Sequence, residues 1–212
     1  MLFVNQKSVK YPELLTAVVL SQTFYRDTSL YVGDKEKVTD IYSRGKTIGI
    51  EVVQSEYTSD FLLSSYSNLY QRTMEQKGVE MPKRKAKVLS WSYNSDLDDD
   101  IVMEQFRARI VDKLGKLNNG NYSKIKSEVN LAVLSYMRVK SKEDAQNFID
   151  AYKEESIKFK KEFNKIFLIF STGVYYLVDE EIIAYAEFVG DDFLKYQEMA
   201  KAILKNGEKQ VF

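Results

Sequence analysis

Two acidic residues, Asp40 and Glu51, are the first candidates for chemistry in this sequence. Each lies in a short, mainly apolar run, Val38 to Tyr42 and Ile48 to Val53, and the turn Ser43-Arg-Gly-Lys46 separates the two runs. If the runs form neighbouring antiparallel strands, both carboxylates can project from one side of a small sheet. Carboxylate oxygens are hard ligands that could share a divalent metal ion there. Such a pair is typical of a nuclease-like site.

The strand around Glu51 predicts which way its carboxylate points. Ile48 and Ile50 alternate with Gly49 and Glu51, so Glu51 points away from the face that carries the two isoleucines. Val53 shares the face of Glu51, and an isolated charge on a buried face is very costly. We therefore expect Glu51 to be paired, to bind a metal or to lie at the rim of the sheet. The alternative, that it is a solvated side chain, stays open.

The composition excludes several kinds of mechanism. The chain of 212 residues contains no histidine and no cysteine, which excludes Ser-His-Asp triads, cysteine nucleophiles, Cys/His zinc sites and disulfides. Carboxylate, lysine, tyrosine, serine and metal-ion chemistry remain. Because 31 Lys and Arg balance 31 Asp and Glu, attraction to a polyanion must come from local patches.

The hydrophobic pattern predicts an α/β fold with a mixed central β-sheet flanked by helices. With 44% hydrophobic residues and no linker, we expect a single domain over residues 1–212. No apolar run is long enough to cross a bilayer and no signal-peptide pattern begins the chain, so we expect a cytoplasmic protein without a membrane partner. The predicted helices are 12–27, 59–77, 101–117, 142–160 and 191–204, and the predicted strands are 30–32, 37–42, 47–54, 88–93, 128–139, 163–171, 174–178 and 182–189.

Two fragments carry a resemblance to a known superfamily. A helix with Glu13, the Asp40 strand, a tight turn and the Ile-Gly-Ile-Glu-Val strand of Glu51 resemble the restriction-endonuclease-like core of the PD-(D/E)XK nucleases. A second fragment, Ile110-Val-Asp-Lys-Leu-Gly-Lys116 followed by Tyr122, resembles the lysine-bearing helix that follows the catalytic strands in a group of bacterial members.

The resemblance implies a nuclease-like core over about residues 10–140, with a C-terminal α/β extension of the same sheet. It also implies a metal-dependent nuclease that hydrolyses phosphodiester bonds, with DNA as the expected substrate and Mg²⁺ or Mn²⁺ as the cofactor. The site residues that it implies are Asp40, Glu51 and Glu13 as metal ligands, with Asp40, Glu51, Lys113 and Lys116 as catalytic residues.

The chain departs from the superfamily pattern at two positions. Thr39 stands where the pattern has proline, which shapes a turn and performs no chemistry. Val53 stands where the pattern has the lysine that orients or activates the attacking water. A lysine from the later helix, Lys113 or Lys116, would have to take over that role. The alternative is that both lysines lie on the solvated side of an amphipathic helix.

A basic run is the expected nucleic-acid-binding strip. Four cations lie within five residues just before a predicted strand, and such clusters bind phosphates. The alternative is a solvated loop. The residues of this strip are Lys83, Arg84, Lys85 and Lys87.

Two other hypotheses for the function stay open. The first is a non-catalytic protein that keeps the nuclease-like fold, such as a phage or defence-system factor, and binds nucleic acid or a protein partner. The missing Glu-x-Lys pattern favours it. The second is an interaction module with an unrelated α/β fold, in which Asp40 and Glu51 are merely exposed. Whether the chain forms a homodimer is equally open.

Overall fold

Alternating helices and strands build one mixed sheet with helices on both faces, as the hydrophobic pattern predicts. The computed structural model describes residues 1–5, 8–33, 37–55, 99–135, 142–178 and 181–206. The helices are α1 (Tyr11–Gln22), α2 (Asp99–Asn118), α3 (Lys142–Ser156) and α4 (Asp192–Asn206). The strands are β1 (Leu2–Val4), β2 (Leu30–Val32), β3 (Ile41–Ser43), β4 (Ile48–Gln54), β5 (Glu128–Leu134), β6 (Lys165–Phe170), β7 (Gly173–Val178) and β8 (Glu181–Glu187).

The eight strands lie in the sheet in their order along the chain. β1 and β2 are parallel, and β2, β3 and β4 form antiparallel pairs. β4, β5 and β6 are parallel, with α2 and α3 in the connections between them. β6, β7 and β8 are again antiparallel. The candidate carboxylates therefore belong to the middle of the sheet, where the hairpin β3–β4 meets the parallel strands.

Two apolar cores lie on opposite faces of the sheet. One contains α1 and α4 together with the β-strand residues Ile50, Val52 and Phe167. The other contains α2 and α3 together with Val53 and Leu131. Neighbouring residues of β4 enter different cores because successive side chains of a strand point to opposite faces. Glu51 shares the parity of Val53 and so faces the α2 side.

The α1 helix is buried on all sides along most of its length, from Glu13 to Leu20. Pro12 lies in its first turn, where a missing amide hydrogen costs nothing. The backbone amide of Lys10 donates to the Glu13 carboxylate at 3.1 Å, which closes the N-terminal end of the helix.

The predicted elements within the described residues recur, with shifts at their ends. The pattern missed β1, whose three residues are too few to show a period. The strand predicted at 37–42 is observed as Ile41–Ser43. The predicted helix 59–77 and strand 88–93 lie outside the described residues. None of the helices in the described parts of the chain is both long and apolar enough to cross a membrane.

Candidate functional site

The hairpin of β3 and β4 determines how Asp40 and Glu51 lie relative to each other. Ile41 pairs with Ile50, and continuing this antiparallel register by one residue sets Asp40 opposite Glu51. Side chains of directly opposite residues share one face of a sheet. The backbone amide of Val52 donates to Asp40 Oδ2 at 2.9 Å, so the half-buried Asp40 is held against β4 just before β3 begins.

Close packing under the hairpin requires a glycine next to this pair. A Cβ atom at Gly49 would lie 2.6 Å from Thr39 Oγ1 and 2.8 Å from Ile125 Cγ1. The hydroxyl of Thr39, fully buried, donates to the carbonyl of Ile41 at 2.6 Å. Thr39 thus shapes the entry into β3 at the position where the nuclease pattern has proline.

Glu51 lies buried on the α2 side of the sheet with a cation beside it. Its side chain is 7% exposed, and its Oε1 atom is 2.5 Å from Lys113 Nζ. The Lys113 side chain is itself only 17% exposed. The buried hydroxyl of Tyr122 faces the same carboxylate and stabilises its charge, although its geometry falls short of a full hydrogen bond.

The amphipathic pattern of α2 carries Lys113 inward. Phe106, Ile110, Leu114 and Leu117 are buried at helical spacing, and Lys113 is three residues from Ile110 and four from Leu117. Residues three and four apart lie on the same side of a helix, so Lys113 belongs to this buried stripe.

Two arginines of α2 hold the helix in place. The Arg109 guanidinium donates to the carbonyl of Gln54, the last residue of β4, at 2.5 Å. Arg107 forms an ion pair with Glu154 of α3. Lys113 follows Arg109 by one helical turn, so the anchor at the end of β4 also sets the height of Lys113 above Glu51.

The structure separates the two lysines that the resemblance implies. Lys113 pairs with Glu51, whereas Lys116 Nζ lies 2.8 Å from Asp112 Oδ2 in a half-exposed pair along the same helix. Ion pairs of that exposed type contribute little to stability. Of the two lysines, Lys113 is therefore the one placed to act on Glu51.

Glu13 extends from α1, on the other side of the sheet from α2. It is buried, and Lys10 Nζ lies 3.2 Å from its Oε1 atom. Burial raises the pKa of Glu13, and the negative charge of Asp40 raises it further. Asp40 therefore interacts electrostatically with both Glu13 and Glu51, between the two faces.

The electrostatics of Glu51 reflect burial first. Desolvation raises the pKa of Glu51, the charge of Asp40 adds to this, and the ammonium of Lys113 and the hydroxyl of Tyr122 partly reverse it, so that the pKa is about 7. Burial alone would lower the pKa of Lys113, but the charges of Glu51 and Asp40 outweigh it and raise that pKa. The negative charge of Glu51 also raises the pKa of Tyr122, beyond the rise from burial.

The donor chemistry fits a small divalent cation held in part by solvent or substrate. Among the described residues, no group of three acidic side chains is close enough to hold a metal ion. Glu13, Asp40 and Glu51 thus do not form the closed ligand set that the resemblance implies. Mg²⁺, however, is commonly bound by one or two carboxylates together with water and substrate phosphates. Asp40 and Glu51 match that smaller set.

Sequence reasoning assigned no role to Tyr122, which the structure places against Glu51. Its position after the lysine helix was part of the resemblance, and a tyrosine buried near an acid is a signal that could have found it. The expected nucleic-acid-binding residues Lys83, Arg84, Lys85 and Lys87 lie outside the described residues, so their role stays a prediction.

A scan against protein-family models matches none of them, and searches of curated proteins and of solved structures find no match. The function therefore has to be inferred from the geometry of the site itself.

Proposed function

We propose that this protein is a metal-dependent hydrolase of phosphodiester bonds, with DNA as the expected substrate, and that Asp40, Glu51 and Lys113 form its site. One observation carries the proposal: two carboxylates on opposing residues of adjacent strands lie beside a buried lysine from the following helix. Two strand-borne acids and one ammonium are the set that metal-assisted attack on a phosphate requires.

Each residue has a distinct role in this proposal. Asp40 and Glu51 would hold Mg²⁺ or Mn²⁺, which supplies a Lewis acid and an acidified water when bound. Lys113 holds the Glu51 carboxylate in one orientation and places a positive charge where negative charge builds up on the phosphate. The hydroxyl of Tyr122 keeps Glu51 oriented from a second side.

The order of elements supports a restriction-endonuclease-like core over about residues 10–140. A helix with Glu13, a strand preceded by Asp40, a tight turn, a strand with Glu51 and a helix with Lys113 follow one another in the order on which the resemblance rests. The lysine missing at Val53 has a spatial replacement in Lys113, whose ammonium reaches the carboxylate of Glu51.

A cleavage assay with matched variants tests this proposal. Plasmid DNA and a labelled single strand are incubated with Mg²⁺ or Mn²⁺ and the wild-type protein, Asp40→Asn, Glu51→Gln or Glu162→Gln. Glu162 is exposed and distant in sequence from the site, so its variant controls for the loss of one negative charge. We expect cleavage by the wild type and Glu162→Gln only, with a loss of at least about 100-fold in the other two. Equal cleavage by all four folded proteins contradicts the proposal.

The closed state of the ion pair favours a second candidate function. Lys113 already neutralises Glu51, and the described residues hold no three-acid metal group. Both features suit a non-catalytic protein that keeps the nuclease-like arrangement and binds nucleic acid or a protein partner. In the same assay, such a protein binds the labelled strand without cutting it, and Asp40→Asn and Glu51→Gln leave that binding unchanged.

A further inference from the structure

A basic cavity lies beside the hairpin turn, on the residues that follow β3 and precede β5. Its volume is about 640 Å³, and it opens to solvent. Four cations, Arg44, Lys46, Lys124 and Lys126, line it together with the aromatic residues Tyr31 and Tyr42, and no acidic residue contributes to its lining. Such a volume is ordinary for a ligand site.

These four cations are not neutralised by neighbouring acids. None of them forms an ion pair with another residue in the described part of the chain, whereas the partly buried Lys113 and Lys165 each have an acidic partner. The chain as a whole carries no formal net charge. The cavity is therefore a local concentration of positive charge, which attracts anions over a distance of about one Debye length.

Backbone hydrogen bonds bring the two cationic segments together. The amide of Lys126 donates to the carbonyl of Lys46 at 2.8 Å, and the amide of Lys124 donates to the carbonyl of Lys37 at 3.1 Å. Gly45 and Lys46 have positive φ angles of 84° and 57°, which tighten the turn. The cations converge because the backbone is held in place, and mutual repulsion has not been relieved by acids.

Aromatic rings build one wall of the cavity. Phe3 and Tyr31 are stacked with ring centroids 4.6 Å apart, and Tyr31 and Tyr42 are stacked at 5.5 Å. This row of rings crosses β1, β2 and β3 on one face of the sheet. The two tyrosines add hydroxyl groups to the cationic lining, and hydroxyls donate readily to phosphate oxygens.

The cavity lies on the same face as the carboxylate pair. Tyr42 is two residues from Asp40, and alternate residues of a strand share a face. Two residues of an extended strand span about 7 Å, close to the spacing of successive phosphates in a nucleic-acid strand. A phosphate chain that occupies the cavity can therefore continue toward Asp40 and Glu51.

We propose that this cavity binds the phosphodiester backbone of a nucleic-acid strand through Arg44, Lys46, Lys124 and Lys126. The binding itself requires neither Asp40 nor Glu51, and only its direction toward them rests on the proposed function. The shared chemistry is that of phosphate groups, which a free nucleotide also carries. Four cations on two segments exceed what a single phosphate needs, and this favours the strand.

Binding measurements without divalent metal test this site separately from hydrolysis. Fluorescence anisotropy with a labelled single-stranded oligonucleotide in EDTA compares the wild type with Lys124→Gln/Lys126→Gln. The matched control is Lys160→Gln/Lys205→Gln, which removes two exposed cations far from the cavity with the same change of charge. We expect the cavity variant to bind at least about tenfold more weakly and its salt slope to fall by about 1.8, because each lost phosphate contact contributes about 0.9. The control is expected to match the wild type.

Three outcomes separate the possible results. An equal loss in the cavity and control variants overturns the site, because total charge would then suffice. Competition by ATP at concentrations that leave an excess of oligonucleotide unable to bind, in the wild type alone, overturns the strand in favour of a nucleotide. Wild-type binding that depends on the cavity while no DNA is cleaved supports the site and rejects only the proposed hydrolysis.

Discussion

The buried pair of Glu51 and Lys113 dominates the energetics of the site at the scale of single residues. Removing both charges from water is costly, and their mutual attraction at 2.5 Å offsets that cost only while both are present. The carboxylate of Asp40 adds a third charge, which opposes ionisation of Glu51. A pair kept at such cost beside an acid indicates selection for something other than stability.

Removing the cation alone is expected to destabilise the protein strongly. Lys113→Met leaves the Glu51 carboxylate buried without its partner, which costs roughly 3–5 kcal/mol of the free energy of unfolding. The double variant Glu51→Gln/Lys113→Met removes both charges and is expected to be within about 1 kcal/mol of the wild type or more stable. Urea unfolding at about pH 8 measures all three proteins. Equal stability of the single and double variants contradicts a coupled pair.

The raised pKa of Glu51 predicts how stability depends on pH. An ordinary glutamate has a pKa of 4.5, whereas that of Glu51 is raised to about 7 in the folded state. Between these values the folded protein binds the proton and the unfolded chain does not, so this contribution is complete below 4.5 and lost as pH rises through 7. The stability of the wild type relative to Glu51→Gln is therefore expected to decline over that range. Urea unfolding at several pH values measures it, and a constant difference contradicts the raised pKa.

The hairpin of β3 and β4 carries the site at the scale of elements. Its register sets Asp40 against Glu51, and Gly49 lets Thr39 and Ile125 pack directly against the strand. On the other side, α2 presents Lys113 because Arg109 ties the helix to the end of β4. The geometry of the site therefore depends on one strand that contacts two separate supports.

A side chain at Gly49 is expected to disturb this element. Gly49→Ala introduces a Cβ atom 2.6 Å from Thr39 Oγ1, and the resulting shift should cost roughly 1–3 kcal/mol of the free energy of unfolding. The matched control is Gly115→Ala in α2, where no atom lies within 4 Å of the new Cβ. That control should gain up to about 1 kcal/mol, because alanine favours a helix more than glycine does. Thermal unfolding of both variants measures the contrast, and an unaffected Gly49→Ala protein contradicts the packing argument.

The whole molecule distributes its charges unevenly despite a formal net charge of zero. The acids Asp40 and Glu51 face a metal-binding role, and the cations around the hairpin turn form a separate basic cavity on the same face. A neutral chain can thus offer a cation site and an anion site side by side, which is the arrangement that a phosphate-bound metal ion requires.

Metal binding is expected to stabilise the whole fold. A ligand that binds only the folded state raises the free energy of unfolding by about 2.7 kcal/mol at 100 times its dissociation constant. Titration with Mg²⁺ or Mn²⁺ should therefore raise the melting temperature of the wild type, and the rise should vanish in Asp40→Asn. Glu162→Gln is the control and should respond like the wild type. A rise that survives in Asp40→Asn contradicts metal binding at this site.

The local sequence was sufficient to predict the elements and one carboxylate face. Period-two alternation around Glu51 predicted its side of β4, and apolar spacing predicted α2, because both patterns depend on residues close together in the chain. The same spacing distinguishes Lys113, within the apolar stripe, from Lys116 outside it. The expected basic strip at Lys83 to Lys87 lies outside the described residues and stays a prediction.

The sequence alone determined the residue types: hard carboxylate ligands, lysines, no histidine and no cysteine, and hence which chemistries are possible. Tertiary structure decided which of them meet. Glu51, Lys113 and Tyr122, like Arg44 and Lys126, are separated by tens of residues, and they come together only through strand pairing and helix packing. Contacts of that kind depend on the register of the whole sheet, which no local pattern of residues encodes.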